Sequence, residues 1–384
     1  MMDFHHKMQL IISSLNLQTK SEKDTIVFLP GLNGLRAIAA ISVVIAHVTN
    51  QNISDFGFPN TFNFGLADYG VTLFFVISGF LITFLLLKEQ MVSGNILVPK
   101  FYLRRILRIW PLYYFYILII IAFLYLTNKT EDFKSEQLWF YVFFMANIPI
   151  IAHNVIFLIA HYWSIGVEEQ FYLFWPWFLK IKKSKLFKII VIIIFLLIIA
   201  KFILYLTVGQ ASLSYRFLFY SRFQCMMIGA LGGILFIAKN KLFLNLFSAK
   251  LVQFLSWIIF FLIGFNLIDF PLIVSHEVIS VASLSIIIGQ FFTDRRLVNL
   301  DTKFFDMTGK ISYGVYIYHP LVIVMLSKII KPIEMQITVR YIIAYSTSVI
   351  ISLCIAWISF KYFENPFLKL KSKIAVIKSK SSKY

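Results

Sequence analysis

Apolar residues run along this chain in long unbroken stretches, and short polar or basic breaks separate them. A helix needs about 20 predominantly apolar residues to cross a bilayer. Ten stretches of roughly that length can be drawn, at 34–51, 69–87, 109–128, 163–181, 189–207, 222–238, 251–268, 272–292, 309–330 and 341–360. No fixed repeat period links them. The expected fold is an all-α polytopic membrane protein with about ten transmembrane helices. Residues 137–160 are apolar enough to span as well, but an eleventh helix would turn Lys182, Lys183 and Lys185 to the outer face. This stretch, with Pro149, His153 and His161, is therefore read as a re-entrant or surface-lying segment on the outer side, bordering a cavity.

Basic residues set the orientation, because cytoplasmic loops carry an excess of Lys and Arg. Lys7, Lys20 and Lys23 precede the first span; Lys88, Lys100, Arg104, Arg105 and Arg108 lie between the second and third. Further clusters fall at 180–188, 239–250 and 295–310, and in the tail from Lys361. The opposite side holds only Lys129, Lys134, Arg216 and Lys331. Both termini are thus expected inside, in a multi-pass protein of a plasma (bacterial inner) membrane. Lys-, Ile- and Phe-rich usage points weakly to an AT-rich bacterial genome. The domain reading is a cytoplasmic arm at 1–27 without signal-peptide character, a transmembrane domain at 28–366 and a basic tail at 367–384.

Composition narrows the function classes. Of 384 residues, 59% are hydrophobic and 14% charged, against about 25% charged in soluble domains. A soluble enzyme, a disordered chain and a disulfide scaffold are excluded; Cys225 and Cys354 read as ordinary apolar residues. The net charge of +18 is accounted for by topology and by attraction to an anionic inner leaflet, so no nucleic-acid partner is expected.

Ionisable residues inside spans are costly and mark function by default. They are Arg36, His47, Asp68, Glu168, Glu169, Lys201, Arg222, His276, Glu277, His319 and Glu364. Lys201 is read as snorkelling, and His276 and Glu277 as satisfying one another. Arg36 and His47 are 11 residues apart, close to three turns. They share one helix face at depths that differ by roughly 16 Å. Arg105 and Arg108, in FYLRRILRIWP, share a helix face suited to phosphates, although positive-inside bias alone also produces basic residues here. Trp110 offers a ring for a base or an interfacial anchor. In HYWSIGVEEQFYLFWP, Glu168 and Glu169 point about 100° apart, so only one can face a given cavity. His319 in SYGVYIYHP precedes Pro320, which frees backbone carbonyls. Glu364 in YFENP lies level with Arg36 and Arg105, where a salt bridge would close the inner mouth. No metal site is expected.

Six segments occur in an order that resembles the integral-membrane acyltransferase-3 family: LNGLRAIAAISVVIAHV, GVTLFFVISGFLI, RRILRIWPLYY, HYWSIGVEEQFYLFWP, ISYGVYIYHP and FENP. The resemblance covers about residues 28–366. It implies transfer of an acetyl or other short acyl group from cytoplasmic acyl-CoA, a co-substrate and not a resident cofactor. The implied acceptor is a hydroxyl of an extracytoplasmic carbohydrate such as O-antigen, exopolysaccharide or another cell-surface glycan. By the same resemblance His47 is catalytic, with Arg36 and Glu168 beside it. Arg105 and Arg108, together with Arg104 and Trp110, are implied acyl-CoA contacts; His319, Glu364, Trp163, Tyr313 and Ser78 are substrate or structural positions. Many members have Asp where this chain has Thr72, a role that Asp68 or Glu168 would then take. His47 acts either as a base or as an acyl relay, and the sequence does not separate the two. The alternative reading is a membrane transporter or flippase for a glycan or lipid-linked substrate. That class predicts inverted repeats, and no clear internal symmetry is present.

Overall fold

The structure is a computed structural model that describes residues 26–50, 55–59, 64–128, 135–268 and 270–380. Lys7, Lys20 and Lys23 of the arm, and the loop residues Lys129 and Lys134, lie outside the described residues. In chain order the elements are β1 (Ile26–Phe28), α1 (Leu32–Val48), α2 (Leu66–Ser93), α3 (Val98–Leu126), α4 (Ser135–Val142), α5 (Asn147–Ile151), α6 (Tyr162–Phe178) and α7 (Lys183–Val208). Then come α8 (Leu213–Ser221), α9 (Phe223–Ile237), α10 (Lys241–Phe247), α11 (Lys250–Gly264), α12 (Leu272–Gln290), α13 (Lys303–Lys310), α14 (Ser312–Ile330) and α15 (Ile337–Ser359). A π-helical turn at Phe360–Glu364 leads into α16 (Asn365–Ile374) and β2 (Lys378–Lys380). The architecture is helical throughout, apart from the three-residue strands β1 and β2, which pair in parallel.

Seven helical units among the described residues are long and apolar enough to cross a membrane: α2, α3, α7, α8 with α9, α12, α14, and α15 with its continuation. The pair α10 and α11, bent by 56°, makes an eighth. The two other expected spans, at 34–51 and 163–181, are the 17-residue helices α1 and α6. The RRILRIWP segment lies within α3, a helix of 29 residues, and not before it. Residues 137–160 form only short pieces, α4, α5 and a 3-10 turn at Phe157–Ile159. Phe144 and His153 have left-handed backbone at φ 57° and 54° between them. Such a chain does not span, and Ile150, Val155, Phe157 and Leu158 instead line a cavity.

Association of helices in lipid depends on close backbone approach through small residues. The tightest contact joins α2 to α9. A Cβ on Gly79 would meet the Met226 carbonyl at 1.9 Å, and one on Gly229 would meet that of Val76 at 2.1 Å. At Gly70, α2 meets the Ala39 carbonyl of α1 in the same manner. These contacts hold α1, α2 and α9 as a compact centre, against which α6, α12 and α14 pack.

Two expectations about buried charge are corrected. Lys201 does not snorkel: it is 1% exposed and its Nζ lies 2.5 Å from Glu277 Oε1, which also accepts from Gln224. Glu277 of α12 meets Lys201 inside the bundle, so the pair forms inward. His276 is consequently not the partner of Glu277. Its Nδ1 lies 3.0 Å from the Thr72 hydroxyl, which itself donates to the Asp68 carbonyl at 3.0 Å.

Candidate active site

Two cavities meet inside the bundle. The first is narrow, about 90 Å³, and gathers Arg36 of α1, Ser78 of α2, Arg105 and Arg108 of α3, Glu168 and Tyr172 of α6, and Tyr313 and Tyr316 of α14. Glu168 accepts from the Ser78 hydroxyl at 2.8 Å and from Tyr172 at 3.0 Å. Arg36 donates to Asn33, and the Arg105 guanidinium lies over the Phe101 and Tyr172 rings. Among the described residues none of the three arginines forms an ion pair with a carboxylate. Lys371 of α16 lies within electrostatic reach of all three. Excess positive charge in a half-buried space of this kind calls for an anionic ligand. It is the smaller of the two chambers.

The second cavity is wider, about 550 Å³, and carries His47, Asn50, Asp68, His161, Trp163, Tyr220 and Pro320 together with the 150–160 segment. The His47 ring therefore faces protein-enclosed space. Its Nδ1 lies 2.8 Å from His319 Nε2, and His319 Nδ1 lies 2.7 Å from the Tyr316 carbonyl. A carbonyl only accepts, so His319 Nδ1 carries the hydrogen and its Nε2 is a lone pair. His47 must then donate through Nδ1, which leaves His47 Nε2 as a free base. The origin of this order is local. Pro320 has no N–H, so the carbonyl four residues earlier, that of Tyr316, loses its helical partner. The neighbouring His319 takes it.

Val71 and Tyr316 line both cavities. Tyr316 is anchored by its hydroxyl, 2.6 Å from Ser164 Oγ and donating to the His161 carbonyl at 2.9 Å. A single layer of side chains thus divides the arginine pocket from the His47 cavity. Arg36 and His47 share a face of α1 as expected, but they open into adjacent chambers and not into one.

The other expected site residues divide clearly. Ser78, Glu168 and Tyr313 line the arginine pocket; Trp163 lines the second, wider cavity. His319 is buried behind His47. Of the two adjacent carboxylates Glu168 faces the pocket, while Glu169 turns away and accepts from the Trp110 indole at 3.2 Å. Trp110 is thereby removed from the pocket, packed on Tyr114 and Phe144. Arg104 also lies outside it, 2.7 Å from the buried Glu89, which fastens the turn between α2 and α3. Glu364 forms no ion pair among the described residues; it accepts from Ser359 at 3.3 Å beside Gly314. One turn back along α2 from Thr72 lies an ionised carboxylate that serves another helix. Asp68 pairs with Arg222 at 2.8 Å. Sequence reasoning missed Tyr316 and His161 as site residues, although Tyr316 sits one turn from His319 and His161 opens the motif that carries Glu168.

The Acyltransferase domain family matches residues 29–360, most of the chain. The chain belongs to the acyltransferase-3 family. It is 28% identical to the O-acetyltransferase OatA of Staphylococcus aureus strain MRSA252 over 391 residues, covering 93% of this chain and 60% of that protein. With OatA of strain NCTC 8325 the identity is 28% over 375 residues, covering 89% and 57%. The chain therefore spans about three fifths of the length of these curated relatives. No solved structure matches it.

Proposed function

We propose that this acyltransferase-family protein moves an acetyl or other short acyl group from cytoplasmic acyl-CoA to a hydroxyl of an extracytoplasmic carbohydrate. The reading is carried by one arrangement: His47, ordered by His319 and the Tyr316 carbonyl, stands one side-chain layer from a pocket of three arginines. The basic residues favour a protein of ten passes with both termini inside, which puts the arginine pocket at the cytoplasmic end. The CoA phosphates rest at its mouth on Arg105 and Arg108, whose forks suit phosphate oxygens. The thiol-bearing arm enters the pocket, and its thioester reaches past Tyr316 toward His47.

The chemistry follows from the tautomer. The acceptor oxygen gives its proton to His47 Nε2 and bonds to the thioester carbonyl carbon, forming a tetrahedral oxyanion. Collapse breaks the C–S bond, and the departing thiolate takes the proton back from His47. The ester leaves on the outer side, the free CoA on the inner side. An acyl-histidine relay uses the same nitrogen and is separated from direct transfer by trapping a labelled intermediate.

The test uses purified full-length protein and [14C]acetyl-CoA with cell-surface glycan as acceptor. His47→Ala abolishes labelling while acetyl-CoA binding persists; retained turnover would defeat the assignment. Replacing Arg105 and Arg108 together by Gln removes two charge-assisted contacts of about 1.5–3 kcal/mol each, so acetyl-CoA affinity falls at least about a hundredfold. Unchanged affinity would reject the phosphate role.

A further inference from the structure

The outer cavity contains two polar groups that the transfer chemistry does not use. Asp68 is the first. Its Oδ1 takes the ion pair with Arg222, whereas Oδ2 makes no hydrogen bond among the described residues, and the side chain is 56% exposed where it lines the cavity. Its partner is immobile: Arg222 is fully buried, donates also to the Asp68 and Phe219 carbonyls, and lies against the Trp163 and Phe219 rings. Here the cation is enclosed and the anion is presented to the cavity.

His161 is the second group. It is 7% exposed, it lines the same cavity, and its Nε2 is buried with no hydrogen-bond partner among the described residues. A buried polar atom left unpaired is costly and uncommon in folded proteins. The ring cannot easily turn away, because Tyr116, Tyr162, Tyr316 and His319 meet it edge-on.

We propose that Asp68 and His161 form the acceptor subsite of the outer cavity, each binding a hydroxyl beside the one that is acylated. The ligand class is a neutral polyhydroxylated sugar unit. A hydroxyl both donates and accepts, so it satisfies His161 Nε2 in either tautomer; against Asp68 it donates to an anion, the stronger kind of hydrogen bond. A carboxylate or phosphate at the Asp68 position would meet like charge and bind poorly. Trp163 and Tyr220, packed at right angles in the cavity wall, supply apolar faces for the ring carbons of such a unit.

This inference rests on the acyl-transfer reading, and the experiment separates the two. Purified full-length protein is given [14C]acetyl-CoA, with cellotetraose and chitotetraose as acceptor probes. Asp68→Asn, which keeps the shape, and His161→Phe, which keeps a ring but removes the nitrogens, each raise the acceptor KM about tenfold. The acetyl-CoA KM is unchanged and kcat stays within about threefold. His161→Gln recovers part of the loss. Because Asp68 also serves Arg222, His161→Phe carries the test alone if Asp68→Asn fails to fold. An unchanged acceptor KM in folded variants, or a collapse of kcat at constant KM, would overturn the subsite. Transfer that survives His47→Ala in the same assay would instead strike the function itself.

Discussion

His319 lines neither of the two cavities and still should govern the rate. Replacing it by Ala removes the acceptor, 2.8 Å away, that holds the His47 Nδ1 hydrogen. The net worth of one such hydrogen bond is about 0.5–1.5 kcal/mol, and leaving a buried donor without a partner costs about 1–3 kcal/mol. His47 escapes part of that cost by turning its ring or moving the hydrogen to Nε2. In that tautomer the nitrogen facing the acceptor is no longer a base. A loss of about 1.4–2.8 kcal/mol in the transition state corresponds to a fall in kcat of ten- to a hundredfold. The assay is steady-state transfer from [14C]acetyl-CoA, with KM measured for both substrates. The expected result is a lower kcat with both KM values near those of the natural protein, and partial recovery in His319→Gln, whose amide oxygen also accepts. Full activity in His319→Ala would refute the tautomer argument. Inactivity as complete as that of His47→Ala would show that His319 is itself the base.

Two further predictions concern the frame. Lys201→Met strands the buried Glu277 carboxylate and should cost about 3–5 kcal/mol, whereas Lys201→Met with Glu277→Gln should recover most of it; unfolding in detergent measures both, and equal stability of the two would remove the pair from the account. Gly229→Ala forces a Cβ to 2.1 Å from the Val76 carbonyl, so α2 and α9 must part. A loss of about 1–3 kcal/mol is expected, against no change if the helices do not meet there.

The class of fold is already legible in the sequence, because runs of apolar residues of bilayer length admit few alternatives to helices in a membrane. Also legible there is what lies along a single helix. Arg36 and His47 on one face, Arg105 and Arg108 on one face, and Glu168 aimed differently from Glu169 all follow from 3.6 residues per turn. Pro320 beside His319 already contained the freed carbonyl on which the imidazole order depends. Tertiary structure decided everything that requires two helices to meet. Arg104 and Arg105 are neighbours in sequence, yet only the arrival of Glu89 from α2 takes Arg104 out of the pocket, and Glu169 does the same for Trp110. His276 and Glu277 adjoin in sequence, but adjacent helical residues face different ways, and their partners come from α2 and α7. Nor could spacing show that Tyr316 would stand between Arg36 and His47. Period places a side chain on a face; only packing supplies the group that it meets.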